Sequence, residues 1–321
     1  MEKMIKLNAA LVDKIWGGSK LKKNFGKKTD LSHVGESWEV SCHPNGMSTV
    51  ATGESRGESF AVWLKKAGSS SLGRLCKNTD SFPVLIKFID AADALSIQVH
   101  PDDEYAGLVE NTRGKTEMWQ VLDCDDGAYL YYGVNQPMTA GEFRTHIENG
   151  TILDVLNRVA VKKGDVFFIE AGTVHAIGPG IVICEIQQNS DTTYRVYDFN
   201  RTDDKGRARE LHIDKAAAVS RLTPPAVSPG PAEPPIAIPG GTRQLLADCP
   251  YFTVISYQCE NSLSIPITPD SFLSLVCIDG EAEITLEDEV INVQKGENIF
   301  VPAQNAQLQV KGCCRLTATT L

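Results

Sequence analysis

The sequence predicts a mainly β protein, built as two related β-barrel modules with a few short helices, and three observations lead there. The first is an internal repeat: Val161-Lys-Lys-Gly164-Asp-Val-Phe-Phe-Ile-Glu170-Ala-Gly172-Thr-Val-His175 returns as Val293-Gln-Lys-Gly296-Glu-Asn-Ile-Phe-Val-Pro302-Ala-Gln-Asn-Ala-Gln307. A Gly turn, an apolar strand and a small-residue corner agree in both copies, which marks two copies of one supersecondary unit. The second is composition, rich in Gly and Pro and without a heptad or a long amphipathic helical pattern. The third is length, since 321 residues exceed the size at which a single core usually stops growing, roughly 250–300 residues. Only the first copy ends in His; Gln307 stands at that place in the second. One module is therefore expected to carry a chemical site and the other to be mainly architectural.

The elements follow in chain order. A short helix is expected near Glu58 to Lys66, followed by strand-like runs at Phe82–Asp90, Leu95–His100, Glu117–Leu122, Ala128–Tyr132, Asp165–Ile169 and Ile181–Ile186. Their rough alternation and turn-rich spacing suit antiparallel strands. Thr139, followed three residues later by Glu142, is a capping-box signature for a short helix running to about Gly150. The prolines of Thr223–Gly240 lack N–H donors and fix φ, which rules out a central strand or a helix interior there. That stretch reads either as an extended connector or as an ordered loop draped over one domain. Residues 1–222 are thus assigned to a catalytic domain with a short helical segment, 223–242 to a Pro-rich connector, and 243–321 to a second barrel lacking metal ligands. In the last segment Asp279-Gly280 and Lys311-Gly312 read as turns between strands.

A formal net charge of −10 argues against nucleic acid as a partner, because phosphate backbones need a basic face. An anionic substrate would need a local cluster of cations. Nine dispersed Cys with no C-x-x-C pair, and a start without an apolar signal-like stretch, suit a reducing cytoplasm. No apolar run is long enough to span a bilayer, and no obligate protein partner is indicated.

Gln98 and His100 lie two apart in a strand pattern, so both leave the same face. Glu117 begins the following strand-like run, and His175 closes the Gly-turn motif. Two imidazoles, a carboxylate and an amide oxygen make a four-ligand set for a divalent ion. Two His and one carboxylate suit catalytic zinc and equally the facial triad of non-haem iron. A single His is more often structural than a ligand, and His33, His43, His146 and His212, without such companions, are read as surface or structural residues.

Together these residues resemble type I mannose-6-phosphate isomerase, a zinc enzyme of the cupin superfamily, in its compact bacterial form. The likeness is carried by Ile15-Trp-Gly-Gly18, Gly35-Glu-Ser-Trp-Glu-Val-Ser41, Pro83-Val-Leu-Ile-Lys87, Leu95-Ser-Ile-Gln-Val-His-Pro101, Gly114-Lys-Thr-Glu-Met-Trp119, Ala171-Gly-Thr-Val-His175, and Gln188-Asn-Ser-Asp191 followed by Arg195. The Gly-x-x-His corner alone is weak, whereas the ordered combination is specific. The resemblance implies cupin-type (jelly-roll) barrels and one Zn(2+) per chain, held by Gln98, His100, Glu117 and His175. It also implies a small sugar-phosphate substrate surrounded by Lys87, Ser96, Lys115, Glu185, Asp191 and Arg195.

Interconverting an aldose and a ketose moves a proton between C1 and C2 through a cis-enediol while charge builds on oxygen. Within the implied set, Arg195 is the first choice to steady that charge and Glu185 to carry the proton, with Lys115 as alternate. Lys87, Ser96 and Asp191 are assigned to substrate binding. Trp16, Trp38 and Trp119 suit the barrel wall more than a sugar platform. Glu39 is expected on the face opposite Trp38 unless the strand bulges. Two other classes remain open: a cupin-type iron oxygenase, against which a fourth protein ligand counts, and a non-catalytic sugar-binding module, against which the acid–base set counts.

Overall fold

The computed structural model describes residues 2–76, 81–202, 205–226 and 228–321. Its strands form three sheets of ten, six and five members. The six-stranded sheet runs in the order Val166–Ile169, Glu117–Cys124, Ile181–Gln188, Val84–Ala91, Glu36–Val40, Ala10–Val12, every neighbouring pair antiparallel. Its central strands are buried at every position from Val84 to Ala91 and from Ile181 to Gln188. Alternate side chains therefore serve two different interiors.

One face carries Ile89, Trp119, Val121, Ile183 and Phe167, which pack on Leu130 and Ile177 of the five-stranded sheet. That sheet runs Tyr194–Tyr197, Ile97–Val99, His175–Ile177, Tyr129–Val134, Leu156–Ala160. Its far side is covered by the helices Ala140–Glu148 and Ile213–Val219 through Phe143, Ile147, Ala216 and Ala217. The other face of the six-stranded sheet presents Ile86, Phe88, Met118, Cys184 and Ile186 to Phe252, Val254, Val276 and Phe300 of the ten-stranded sheet and to Phe272 just before its strand Leu273–Leu286. The layers are helices, five strands, six strands and the second barrel, in that order.

The expected helices form. Thr139 and Glu142 make the reciprocal capping box, and Ser59 caps Phe60–Ala67. Six expected strands form, each end within two residues of its expected place. The two Gly turns of the repeat, Gly164 at φ 96° and Gly296 at φ 90°, share a left-handed backbone.

Two features differ from the sequence reading. Asp279-Gly280 and Lys311-Gly312 are not turns: each lies inside one long strand, Leu273–Leu286 or Ala306–Thr320. These strands pair with each other, with a register shift between Cys277 and Asp279, so Gly280 at φ 72° supplies a bulge rather than a reversal. The chain reverses instead at Glu287-Asp288, where Glu287 takes φ 53°. In addition, the opening strand Ile5–Asn8 pairs with Asn298–Val301, and Ile236–Ile238 within the Pro-rich stretch pairs with Gly241–Cys249 at the edge of the same sheet. The ten-stranded sheet thus recruits residues from the segments expected to be the first domain and the connector.

The join between barrels is aromatic. Phe60, Trp63 and Phe82 meet Phe272 and Phe300 with ring centroids 4.9–5.9 Å apart across the layers. Phe300 is fully buried there. Phe300→Ala is expected to cost about 3–5 kcal/mol and, because both barrels share this core, to lower a single cooperative transition in a denaturant melt. Gly280→Ala is expected to destabilise as well, since its Cβ would lie 2.0 Å from the Cys313 carbonyl oxygen.

Candidate metal and sugar-phosphate site

Between the five- and six-stranded sheets, two lateral rows of side chains face each other. In the first, Arg195 pairs with Gln98, Gln98 with His175 and His175 with Tyr132, so these four leave the same face of the five-stranded sheet. In the second, Phe167, Trp119, Glu185, Lys87 and Trp38 are paired in turn across the six-stranded sheet. Glu117, two residues before Trp119, shares its face.

At the closest approach of the rows, His175 Nε2 lies 3.2 Å from Glu117 Oε1 and His100 Nε2 lies 3.6 Å from Glu117 Oε2. Among the described residues these three form the one cluster of His, Cys, Asp and Glu with donor atoms all within 4.8 Å of one another. All three are 0–1 % exposed. His100 Nδ1 faces the Thr192 carbonyl at 2.9 Å and His175 Nδ1 the Thr173 carbonyl at 2.8 Å. A carbonyl only accepts, so each Nδ1 carries the hydrogen and each Nε2 keeps its lone pair for the centre. Burial, reinforced by Lys115, holds His100 well below the ordinary imidazole value, and burial brings His175 down to about 4. Both rings are neutral and ligand-ready at physiological pH.

His175 Nε2 and both Glu117 oxygens are buried without a hydrogen-bond partner among the described residues. Buried polar atoms are seldom left so, and a buried carboxylate facing two imidazole Nε2 atoms fits a divalent cation. Lys115 Nζ sits 3.0 Å from Glu117 Oε2 and 3.1 Å from His100 Nε2. Burial opposes its charge, but Glu117 and Glu185 outweigh that and hold the ammonium above its usual value.

Above this floor opens a cleft of about 520 Å³ lined by Gln98, Lys115, Glu185, Lys87, Ser96, Asp191 and Arg195, which are all the remaining residues singled out in the sequence. Lys87 is no solvated strand end. It is 5 % exposed, its Nζ lies 4.6 Å from the Trp38 ring centre and 3.5 Å from Glu185 Oε1. Glu185 Oε2 accepts from Trp119 Nε1 at 2.9 Å, while Oε1 has no hydrogen-bond partner among the described residues. Burial and the Glu117 charge raise its carboxyl above the usual range, against the pull of Lys115 and Lys87. Asp191, at the mouth, accepts from Asn45 Nδ2 at 2.6 Å.

Other residues enter that the sequence did not single out for the site. Arg209 lines the cleft beside Arg195 and is forked onto Asp198. It comes from irregular chain, where periodicity carries no information. His212 is structural, as read, yet it accepts the Arg195 backbone N–H at 3.1 Å and so anchors that strand. Trp16 and Trp38 are buried wall residues that also line the cleft. Gln307, the counterpart of His175, is exposed and accepts from Ser264 Oγ at 2.9 Å.

Comparison with known proteins agrees along the whole chain. Residues 4–118 match the family described as phosphomannose isomerase type I, catalytic domain, and residues 242–321 the mannose-6-phosphate isomerase cupin domain. A mannose-6-phosphate isomerase of Streptococcus mutans is 38 % identical over 98 % of this chain and 96 % of its own length. The chain belongs to the type I mannose-6-phosphate isomerase family. Another relative, mannose-6-phosphate isomerase ManA of Bacillus subtilis, is 38 % identical over 94 % of this chain and 93 % of its own. A crystal structure of the mannose 6-phosphate isomerase from Bacillus subtilis superposes with a TM-score of 0.91 at 34 % identity, covering all of both chains. A zinc-bound mannose 6-phosphate isomerase shares the fold at 18 % identity, with a TM-score of 0.80 over 99 % of each chain.

Glu117→Ala and His175→Ala are each expected to lower metal content by more than tenfold, read by elemental analysis of protein dialysed against zinc. Tyr132→Phe, whose hydroxyl donates to the Phe168 carbonyl instead of the centre, is expected to keep it.

Proposed function

We propose that this chain interconverts mannose 6-phosphate and fructose 6-phosphate in the cytoplasm, with one zinc ion per chain held by Gln98, His100, Glu117 and His175. The observation that carries the reading is the convergence of two neutral Nε2 atoms on the fully buried Glu117 carboxylate, beneath a cleft that Lys87, Lys115 and Arg195 line. Family membership and the zinc-bound fold relative support it. Bound there, a divalent ion supplies polarisation of the oxygens at the reacting carbons.

The chain's own residues do the rest. Glu185 is assigned the proton shuttle: one oxygen is fixed by Trp119, while the other has no hydrogen-bond partner among the described residues and meets only the Lys87 ammonium at 3.5 Å. A carboxyl raised toward the working pH is a more effective base than an ordinary one. Lys115, kept charged by two carboxylates, suits donation to a substrate oxygen better than proton removal. Arg195, whose register with Gln98 supports the reading, is assigned to steady charge building on an oxygen near the metal. Lys87, Ser96 and Asp191 are assigned to binding. Lys87 and Arg209 supply local cations and Ser96 a hydroxyl donor for a sugar phosphate despite the overall charge of −10, while Asp191 offers an acceptor for sugar hydroxyls.

A coupled assay with mannose 6-phosphate, run before and after stripping and restoring zinc, tests the whole reading; turnover that survives complete removal of metal sinks it. Glu185→Gln is expected to lower kcat by roughly 10²–10⁴-fold with metal retained. Arg195→Ala should also keep its metal and lose kcat, and an effect confined to KM would reassign Arg195 to binding.

A further inference from the structure

We propose that a buried joint between the barrels, made by Lys27, Glu39 and Asn298, positions the Trp38 wall of the cleft, so that the C-terminal barrel governs substrate binding without placing a residue in the cleft. Its kinetic consequence rests on the isomerase reading given above. Glu39 is fully buried, and Lys27 Nζ stands 2.6 Å from Oε1 and 2.7 Å from Oε2. Asn298 Nδ2 donates to Glu39 Oε2 at 3.0 Å, and Ser37 Oγ donates to Oε1 at 2.6 Å. Lys27 Nζ also donates to the Gly296 carbonyl at 2.5 Å. Lys27 and Glu39 belong to the first barrel, Gly296 and Asn298 to the second.

Two facts point to positioning and not mere adhesion. A buried ion pair is a poor source of stability, because apolar side chains of similar volume do as well, and fixing a unique geometry is its best-attested use. Glu39 is also the bulge residue of its strand: Trp38 pairs with Lys87 and Val40 with Ile86, leaving Glu39 as the extra residue between them. Ser48 Oγ bonds the carbonyl oxygens of Trp38 and Glu39, fixing the bulge from the side. Strand alternation sends Trp38 into the cleft and Glu39 toward the second barrel, and the bulge keeps Val40 on the same side as Glu39; in the cleft the Trp38 indole lies under the Lys87 ammonium and donates to Glu36 Oε2 at 2.7 Å. A shift at Asn298 therefore reaches Lys87 through two residues.

The repeat shows what changed between the copies. A Cβ on Gly164 would meet nothing within 4 Å, whereas one on Gly296 would lie 2.1 Å from the Phe25 carbonyl oxygen. The second copy carries Gln307 where the first has His175, and its Gly turn is docked against Phe25.

The test uses two variants of the zinc-loaded full chain, Asn298→Ala and the double variant Lys27→Met/Glu39→Met, labelled with 5-fluorotryptophan. The second replaces the ion pair by apolar side chains and so keeps the fold. In both, the Trp38 fluorine resonance, assigned with Trp38→Phe, is expected to move while metal content holds. KM for mannose 6-phosphate should rise about tenfold with kcat within about twofold. An unmoved Trp38 resonance, or an unchanged KM accompanied only by a lower melting temperature, overturns the proposal. Absence of turnover in the unmutated protein counts against the isomerase reading instead, and the Trp38 resonance then decides the joint by itself.

Discussion

The six-stranded sheet is buried on both faces, and the rest of the molecule depends on that constraint. A strand sends alternate side chains to opposite sides, so each of its central strands must carry two messages in one sequence. In Ile181–Gln188, Val182, Cys184 and Ile186 face the second barrel while Ile183 and Glu185 face the site. A slip of one residue would put Glu185 into the aromatic join and Cys184 into the cleft. Packing between the barrels thus fixes the register on which the site depends.

That arrangement also explains how so many charges are held out of water. Glu117, Glu185, Lys87, Lys115 and Glu36 are all buried or nearly so. Burial of one such charge alone is prohibitive, and it is tolerated here because cations and carboxylates alternate around the cleft. Glu36 shows the balance: burial opposes its ionisation, yet Lys87 and Lys14 hold its carboxyl below the usual range. Glu185 lies on the other side of that balance, closer to Glu117, and its carboxyl rises. Two carboxyl groups a few residues apart in the sheet are set to opposite tendencies by which neighbour is nearer.

Local chemistry was read well where a single physical rule governs. The capping box at Thr139 and Glu142 depends only on residues within one turn, and it is present. Glycine was read less well. Asp279-Gly280 has the composition of a hairpin, but positive φ serves a bulge as readily as a turn, and only the partner strand decides between them. The surroundings of Lys87 were equally out of local reach: its ammonium lies over an indole supplied by a strand about fifty residues earlier.

By itself the sequence determined the fold class, the duplicated unit and the set of side chains able to make a metal site, because periodicity, the repeat and residue type are local properties. The tertiary structure decided which of them meet. It placed Gln98 in register between His175 and Arg195, gathered His100, His175 and Lys115 around Glu117, brought Arg209 to the cleft from patternless chain, and carried Ile5–Asn8 into the far barrel's sheet. Each of these is a long-range pairing, set by how sheets close on one another, and the physics of a single strand does not contain it.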